Sequence, residues 1–248
     1  MIQAKILMGM PIILEIVDQQ VSQKDFDEVY KYFEYVDNKF STYKNTSEIS
    51  KINQGSLKPN EYSEDMKEVF RLCDETKKAT NGYFDIIHNN ICDPSGLVKG
   101  WSIFNAAKIL QNKEFKNFYV DAGGDVQIAG KNSEGNKWSV GIRNPFNYNE
   151  IVKVLYVQDL GVATSGTYAR GLHIYNPKND AKPADEIASI TVVGPNIYEA
   201  DRFATAAFAM GTKGIQFIES LKNFEGYMID KKGIATYTSN FEKYTQKI

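Results

Sequence analysis

"NFYVDAGGDVQIAGK", residues 117–131, is where the chain changes character. Apolar and polar side chains alternate on both sides of Gly123-Gly124, which reads as two strands broken by the paired glycines. Before it, "SIFNAAKILQN" (102–112) has a helical pattern; after it, "WSVGIRNP" (138–145), "VKVLYVQDLGVATS" (152–165) and "ASITVVGP" (188–195) supply further strands. Upstream, "IILEIVD" (12–18) reads as a strand and residues 24–39 as a helix whose inner face is Phe26, Val29, Tyr30, Phe33 and Val36. Ser47 starts a short helix before Glu48. Ser63 caps a longer one that buries Met66, Val69, Phe70 and Cys73 and stops at Asn81-Gly82. A helix over "GIQFIESLKN" (214–223) and a hairpin over "EGYMIDKKGIATYT" (225–238) complete the order. Helices and strands interleave without a βαβ rhythm, which predicts an α+β fold with mixed or antiparallel sheets and packed helices. No linker or repeat divides the chain, so residues 1–248 are expected to form a single domain.

Composition narrows the function. A net charge of −2 and a pI near 5.8 give no electrostatic ground for nucleic-acid binding. Cys73 and Cys92 lack metal-ligand spacing and can form at most one bridge, so neither a zinc site nor a disulfide framework is expected. The apolar run at 6–17 is interrupted by Gly9, Pro11 and Glu15, which excludes a transmembrane segment. With no basic leader before it, the chain as it stands reads as cytoplasmic; a signal or lipoprotein leader upstream would make it exported.

Four segments hold more glycine and acid than turns require. In "EADRFATAAFAMG" (199–211), Asp201 and Thr205 stand four apart and share one helical face, beyond an N-cap at Asn196. A cap or dipole partner and a functional pair both remain open on that spacing. In "DPSGLVKGW" (93–101), a tight turn leads into a helix start near Lys99, a place suited to phosphate, although the Walker pattern is absent. "DAGGD" (121–125) flanks two glycines with carboxylates, as either a β-bulge or a loop approached by a ligand. "VATSGTYARGLHIYNP" (162–177) gathers Thr164, Ser165, Arg170 and His173, a set able to hold an anion and move a proton, though a strand histidine is commonly structural.

Together with "MGMP" (8–11), "FSTYKNTSEISKIN" (40–53), "TNGYFDI" (80–86) and "WSVGIRNP", these segments resemble the ApbE family, the FAD:protein FMN transferases formerly described as thiamine-biosynthesis lipoproteins. The eight matches fall in the family's order across residues 8–211. The resemblance implies an ApbE-like domain that uses Mg²⁺ and FAD to attach FMN through its phosphate to a Thr or Ser of an acceptor flavoprotein, with release of AMP. The acceptor would carry an Asp-x-x-Ser/Thr-Gly-Ala-Ser/Thr pattern, which this chain lacks. It further implies Asp201, Thr205 and the Gly96 carbonyl as metal ligands, and Met8, Tyr43, Phe84, Asp85, Ile86, Asp93, Lys99 and Ile174 as residues lining the FAD pocket. His173 is the expected base for the acceptor hydroxyl, with Asp125 the second candidate. An Mg²⁺-dependent FAD diphosphatase and a non-catalytic FAD-binding protein are the alternatives. Two positions depart from the common family pattern: Ala204 stands where some members carry an acid, and Asp121 where Asn is common.

Overall fold

Residues 1–167, 174–179, 182–183 and 186–246 are described in a computed structural model of the chain. Strands β1 (Ile2–Leu7) and β2 (Met10–Ile16) form a hairpin that leads into helices α1 (Gln23–Phe40), α2 (Glu48–Asn53) and α3 (Glu64–Ala79). A short pair, β3 (Ile87–His88) and β4 (Ile91–Cys92), precedes α4 (Ser95–Asn112). The strand-rich part contains β5 (Phe118–Ala122), β6 (Asp125–Ala129), β7 (Trp138–Asn144), β8 (Asn147–Val157) and β9 (Gly161–Gly166). Then come β10 (Tyr175–Asn176), β11 (Lys182–Pro183), β12 (Ile187–Gly194), α5 (Ile197–Ala209), α6 (Gly214–Ser220), β13 (Glu225–Asp230) and β14 (Ala235–Tyr237).

Eight strands make the main sheet, in the order β1-β2-β5-β6-β9-β12-β13-β14, and every adjacent pair is antiparallel. The expected α+β class is therefore realised with an antiparallel sheet. First and last strands belong to the same sheet, so the chain is one domain. The break at Gly123-Gly124 is a two-residue turn between the paired Ala122 and Asp125, with φ of +65° and +98° that only glycine adopts cheaply.

Alternation within the central strands splits the core in two. Phe118, Val120, Ala129, Ile190 and Val192 face the helices, where they meet Phe26, Val29 and Phe33 of α1, Ile103 and Ala107 of α4, and Ala204 and Phe208 of α5. Val126, Ile128, Val162 and Val193 face the other way, onto Trp138, Val140, Ile142, Leu155 and Val157 of the β7–β8 hairpin. That hairpin is a separate two-stranded sheet stacked on the first. Cover on both faces explains why β12 is buried along its whole length and reads as a nearly unbroken apolar run. A third cluster joins α1, α2 and α3 to α4 through Phe40, Ile49, Met66, Val69, Cys73 and Trp101. Each fully buried Phe, Ile or Leu contributes about 1.5–3 kcal/mol, so the α1 stripe alone is comparable with a domain's net stability of about 5–15 kcal/mol.

Local signals set the ends of the helices. Ser63 accepts from the Met66 amide at the start of α3, and Ser47 from Ser50 at the start of α2. The α5 start is held twice: Asn196 accepts from the Glu199 amide at 3.0 Å, and the buried Gln127 side chain on β6 accepts from the Ile197 amide at 2.8 Å. A single 18-residue helix, α4, covers both "DPSGLVKGW" beyond its turn and "SIFNAAKILQN".

Candidate functional site

α4 and α5 cross where neither helix has a large side chain in the way. At Gly100 a Cβ would stand 2.6 Å from the Asp201 Cβ and 2.9 Å from the Ile197 carbonyl oxygen, so glycine alone permits the approach. The Gly100 amide donates to Asp201 Oδ2 at 2.7 Å, and Asp201 is 2% exposed. One turn further along α5, the Thr205 hydroxyl donates to the Gly96 carbonyl at 3.3 Å. The spacing of four thus brings a carboxylate, a hydroxyl and a helix-start carbonyl onto one wall.

Lys99 reaches across this wall to two carboxylates. Its ammonium pairs with Asp125 at the start of β6 and lies 3.5 Å from Asp201 Oδ1. Asp125 also accepts from the Thr164 amide of β9 at 2.9 Å. Two buried carboxylates therefore share one ammonium. Burial pushes the Asp201 carboxyl above its usual range; Lys99 opposes that shift, Asp125 adds to it, and the Gly100 amide opposes it.

The wall opens on a cleft of about 400 Å³. Its residues include Phe84, Asp85, Ile86, Asp93, Gly96, Lys99, Ile174, Asp201 and Thr205, all expected from the sequence. Asp93 accepts from the Ser95 amide at 2.9 Å and so braces the first turn of α4, whose positive end faces the cleft. Asp85 pairs with Lys77 at 2.6 Å, and its carbonyl accepts from the Tyr175 hydroxyl. Asp121 lines the same cleft, accepting from the Gly124 amide at 2.7 Å and the Tyr119 hydroxyl at 3.3 Å. Burial raises its carboxyl to about 6: the Gly124 amide opposes the shift, nearby Asp125 adds to it, and the Tyr119 hydroxyl and Arg143 oppose it.

Two expected pocket residues lie elsewhere. Tyr43 is 97% exposed and does not line the cleft. Its loop is folded outward by the Ser47 hydroxyl, which donates to the Ser41 carbonyl, and by the Ser47 amide, which donates to that of Lys44. Met8 occupies the β1–β2 turn at φ +53° and packs against the helical cores, so Gly9, Met10 and Pro11 line the cleft in its place. His173 and Arg170 lie outside the described residues; Gly166 and Ile174, on either side of them in sequence, both line the cleft. Asp125 is brought to the site, but as the partner of Lys99 and Thr164. The sequence reading missed Arg143 and Tyr148 of the β7–β8 hairpin and Tyr175 of β10, all of which line the cleft. The Arg143 guanidinium lies 4.5 Å over the Tyr148 ring. Arg143 was visible as a charge on an otherwise neutral alternating strand, but nothing in the strand says where it points.

Among the described residues, no group of three or more His, Cys, Asp or Glu side chains is arranged to hold a metal. The donors that converge are instead one carboxylate, one hydroxyl and one carbonyl, all oxygen. That set, with an excess of buried negative charge beside it, fits a hard divalent cation that takes its remaining ligands from water and substrate.

An antiparallel α+β domain with an acidic, lysine-bearing cleft at the crossing of two helices is the class that this architecture defines. The chain belongs to the ApbE family, whose profile matches residues 8–93 and 88–228. It is 24% identical to an FAD:protein FMN transferase of Haemophilus influenzae, over 91% of this chain and 84% of that protein. An FAD:protein FMN transferase of Vibrio cholerae is 27% identical, over 62% of this chain and 50% of its own length. Among solved structures, the flavin transferase ApbE from Vibrio cholerae superposes with a TM-score of 0.86 at 22% identity, covering 98% of both chains. The ApbE protein from Thermotoga maritima gives 0.86 at 20% identity, with 99% of both chains covered.

Proposed function

We propose that this chain is an Mg²⁺-dependent FAD:protein FMN transferase, which moves FMN from FAD to a Thr or Ser hydroxyl of an acceptor flavoprotein and releases AMP. Family membership and the names of its relatives support the reaction class. The observation that carries the reading within this chain is the convergence of Asp201, Thr205, the Gly96 carbonyl and Lys99 at the positive end of α4, inside a cleft lined by aromatic and apolar residues.

In this reading the cleft divides its work. Phe84, Ile86, Ile174 and Tyr175 offer apolar and aromatic surface to the ring systems, and Asp93 offers an acceptor to the adenosine part. Lys99 and the first turn of α4 face the pyrophosphate and offset its charge. Asp201, Thr205 and Gly96 would hold Mg²⁺, which when bound neutralises charge on the pyrophosphate oxygens. The acceptor oxygen forms a bond to the FMN-side phosphorus as the bond to the AMP oxygen breaks. The acceptor proton passes to a base, a role assigned to the imidazole side chain of His173. Most of the acceleration then comes from positioning and fixed charge.

The test is incubation of the protein with FAD and Mg²⁺, with and without a flavoprotein domain carrying the Asp-x-x-Ser/Thr-Gly-Ala-Ser/Thr pattern. Intact mass of the acceptor and chromatography of the nucleotides are the readouts. A mass gain equal to FMN together with AMP supports the transferase. FMN and AMP beside an unmodified acceptor make the chain an FAD diphosphatase, and intact FAD makes it a binding protein.

A further inference from the structure

The β7–β8 hairpin has two unlike faces. Its inward residues, Val140, Ile142 and Leu155 among them, pack on the main sheet. On the outward face Gly141 pairs with Val154, and Arg143, which stands between two shifts of register, pairs with Ile151. At Gly141 the outer surface has no side chain of its own, and Ile151 leans over it, since a Cβ there would stand 2.8 Å from Ile151 Cδ1. Ile151 and Val154 are 44% and 39% exposed, and Phe146 in the turn is 57% exposed. Single exposed apolar residues are ordinary, whereas several in a row on one strand face and its turn form a sticky surface that soluble proteins keep small unless it is used.

This stripe does not end in open solvent. It runs into the cleft, because Arg143 and Tyr148 on the same hairpin are lining residues. Across from the sequence of that hairpin, the cleft residues Asp85 and Ile86 lead directly into β3–β4, where Ile87 and Ile91 are also exposed. Apolar surface thus leads away from the cleft along both hairpins. On the transferase reading the flavin nucleotide would occupy the cleft, while a hydroxyl on a folded protein must be brought in from outside with the chain that flanks it.

We propose that the outer face of β7–β8, Ile151 and Val154 together with Phe146 at the turn, is the docking surface for the acceptor protein, which lays an apolar segment along the hairpin and so delivers its hydroxyl past Arg143 and Tyr148 into the cleft. The inference rests on the transferase reading. It selects the acceptor rather than a second copy of the chain because the surface is continuous with the place where the acceptor reacts.

The variant that tests it is Ile151→Ser combined with Val154→Ser, two exposed positions outside the cleft lining, with Ile2→Ser on β1 as a control for loss of exposed apolar surface. FMN transfer is measured against the concentration of an acceptor domain carrying the family pattern, FAD affinity by quenching of flavin fluorescence, and mass in solution by light scattering. The expected result is a KM for the acceptor raised about ten-fold or more, comparable with the loss of one or two interface anchors. FAD affinity, kcat and thermal unfolding should stay within about two-fold or a degree or two of the parent, and Ile2→Ser should change none of them. An acceptor KM within two-fold of the parent overturns the proposal. A parent dimer that the double variant converts to monomer, with transfer unchanged, assigns the face to a second copy and also overturns it. A parent protein that modifies no acceptor fails earlier, at the transferase reading, and removes this inference with it.

Discussion

The Gly100 amide donates to Asp201 Oδ2 at 2.7 Å, joining residues 101 positions apart at the crossing of α4 and α5. The bond requires that residue 100 have no side chain. Gly100→Ala is expected to push the helices apart against the Asp201 Cβ and the Ile197 carbonyl, lowering stability by about 1–3 kcal/mol and transfer activity with it. Chemical denaturation measures the first and the transfer assay the second. A variant as stable and active as the parent would show that the crossing is looser than these distances require.

Asp201→Asn keeps the shape of the side chain and removes its charge. Transfer in the presence of Mg²⁺ should fall on the order of 100-fold or more, as expected when several kcal/mol of charge stabilisation is lost. Chelation of divalent ions with EDTA should stop the parent enzyme and be reversed by added Mg²⁺. Circular dichroism and Tm should remain close to the parent. Full activity in Asp201→Asn would remove the metal assignment.

Asp121 links pH to stability. Its carboxyl is held at about 6 in the folded state, above the ordinary unfolded value of about 3.9. The folded chain therefore binds this proton more tightly than the unfolded chain does. The favourable contribution is complete below about pH 4 and is lost as pH rises through about 6. Asp121→Asn has no proton to lose and can still accept from the Gly124 amide. It should be more stable than the parent by roughly 1–3 kcal/mol at pH 7 and nearly equal to it at pH 4. Urea denaturation at the two pH values checks this, and an equal gap at both would contradict it.

His173→Ala should slow transfer by about 10²–10⁴-fold, the usual range for a general base, while changing FAD affinity much less. Equal losses in transfer rate and FAD affinity would make it a pocket residue.

Gln127→Leu removes the acceptor for the Ile197 amide and leaves that donor buried. A cost of about 1–3 kcal/mol is expected from denaturation midpoints, together with a smaller effect on FAD affinity than on turnover. A cost below about 0.5 kcal/mol would mean that the α5 start finds another partner.

Much of this site could be read from the chain because its determinants are local. Spacing alone placed Asp201 and Thr205 on one face of α5, Asn196 at its cap, and Phe26, Val29, Tyr30, Phe33 and Val36 on the buried stripe of α1. The paired glycines marked the β5–β6 turn. What the chain concealed depends on which surfaces meet. Tyr43 has the chemistry of a pocket residue, but the hydrogen bonds of Ser47 turn its loop to solvent. Met8 and Met10 are two residues apart, and only the register of the β1–β2 hairpin decides which of them reaches the cleft. β1 itself was missed. The stacking of β7–β8 on the back of the main sheet, which brings Arg143 and Tyr148 to the cleft, has no local signature, because any alternating hairpin could pack there.

Among the described residues the hairpin pairs with no strand of the main sheet, whereas Lys99, Asp125, Asp201 and Thr205 stand on elements locked together through β6 and the α4–α5 crossing. The hairpin's outer face takes part in no ladder of the central sheet and carries none of those four side chains. On the docking proposal, mutation at the hairpin would change which protein is served while the reaction centre is inherited intact, so that two descendants would serve different proteins with the same chemistry.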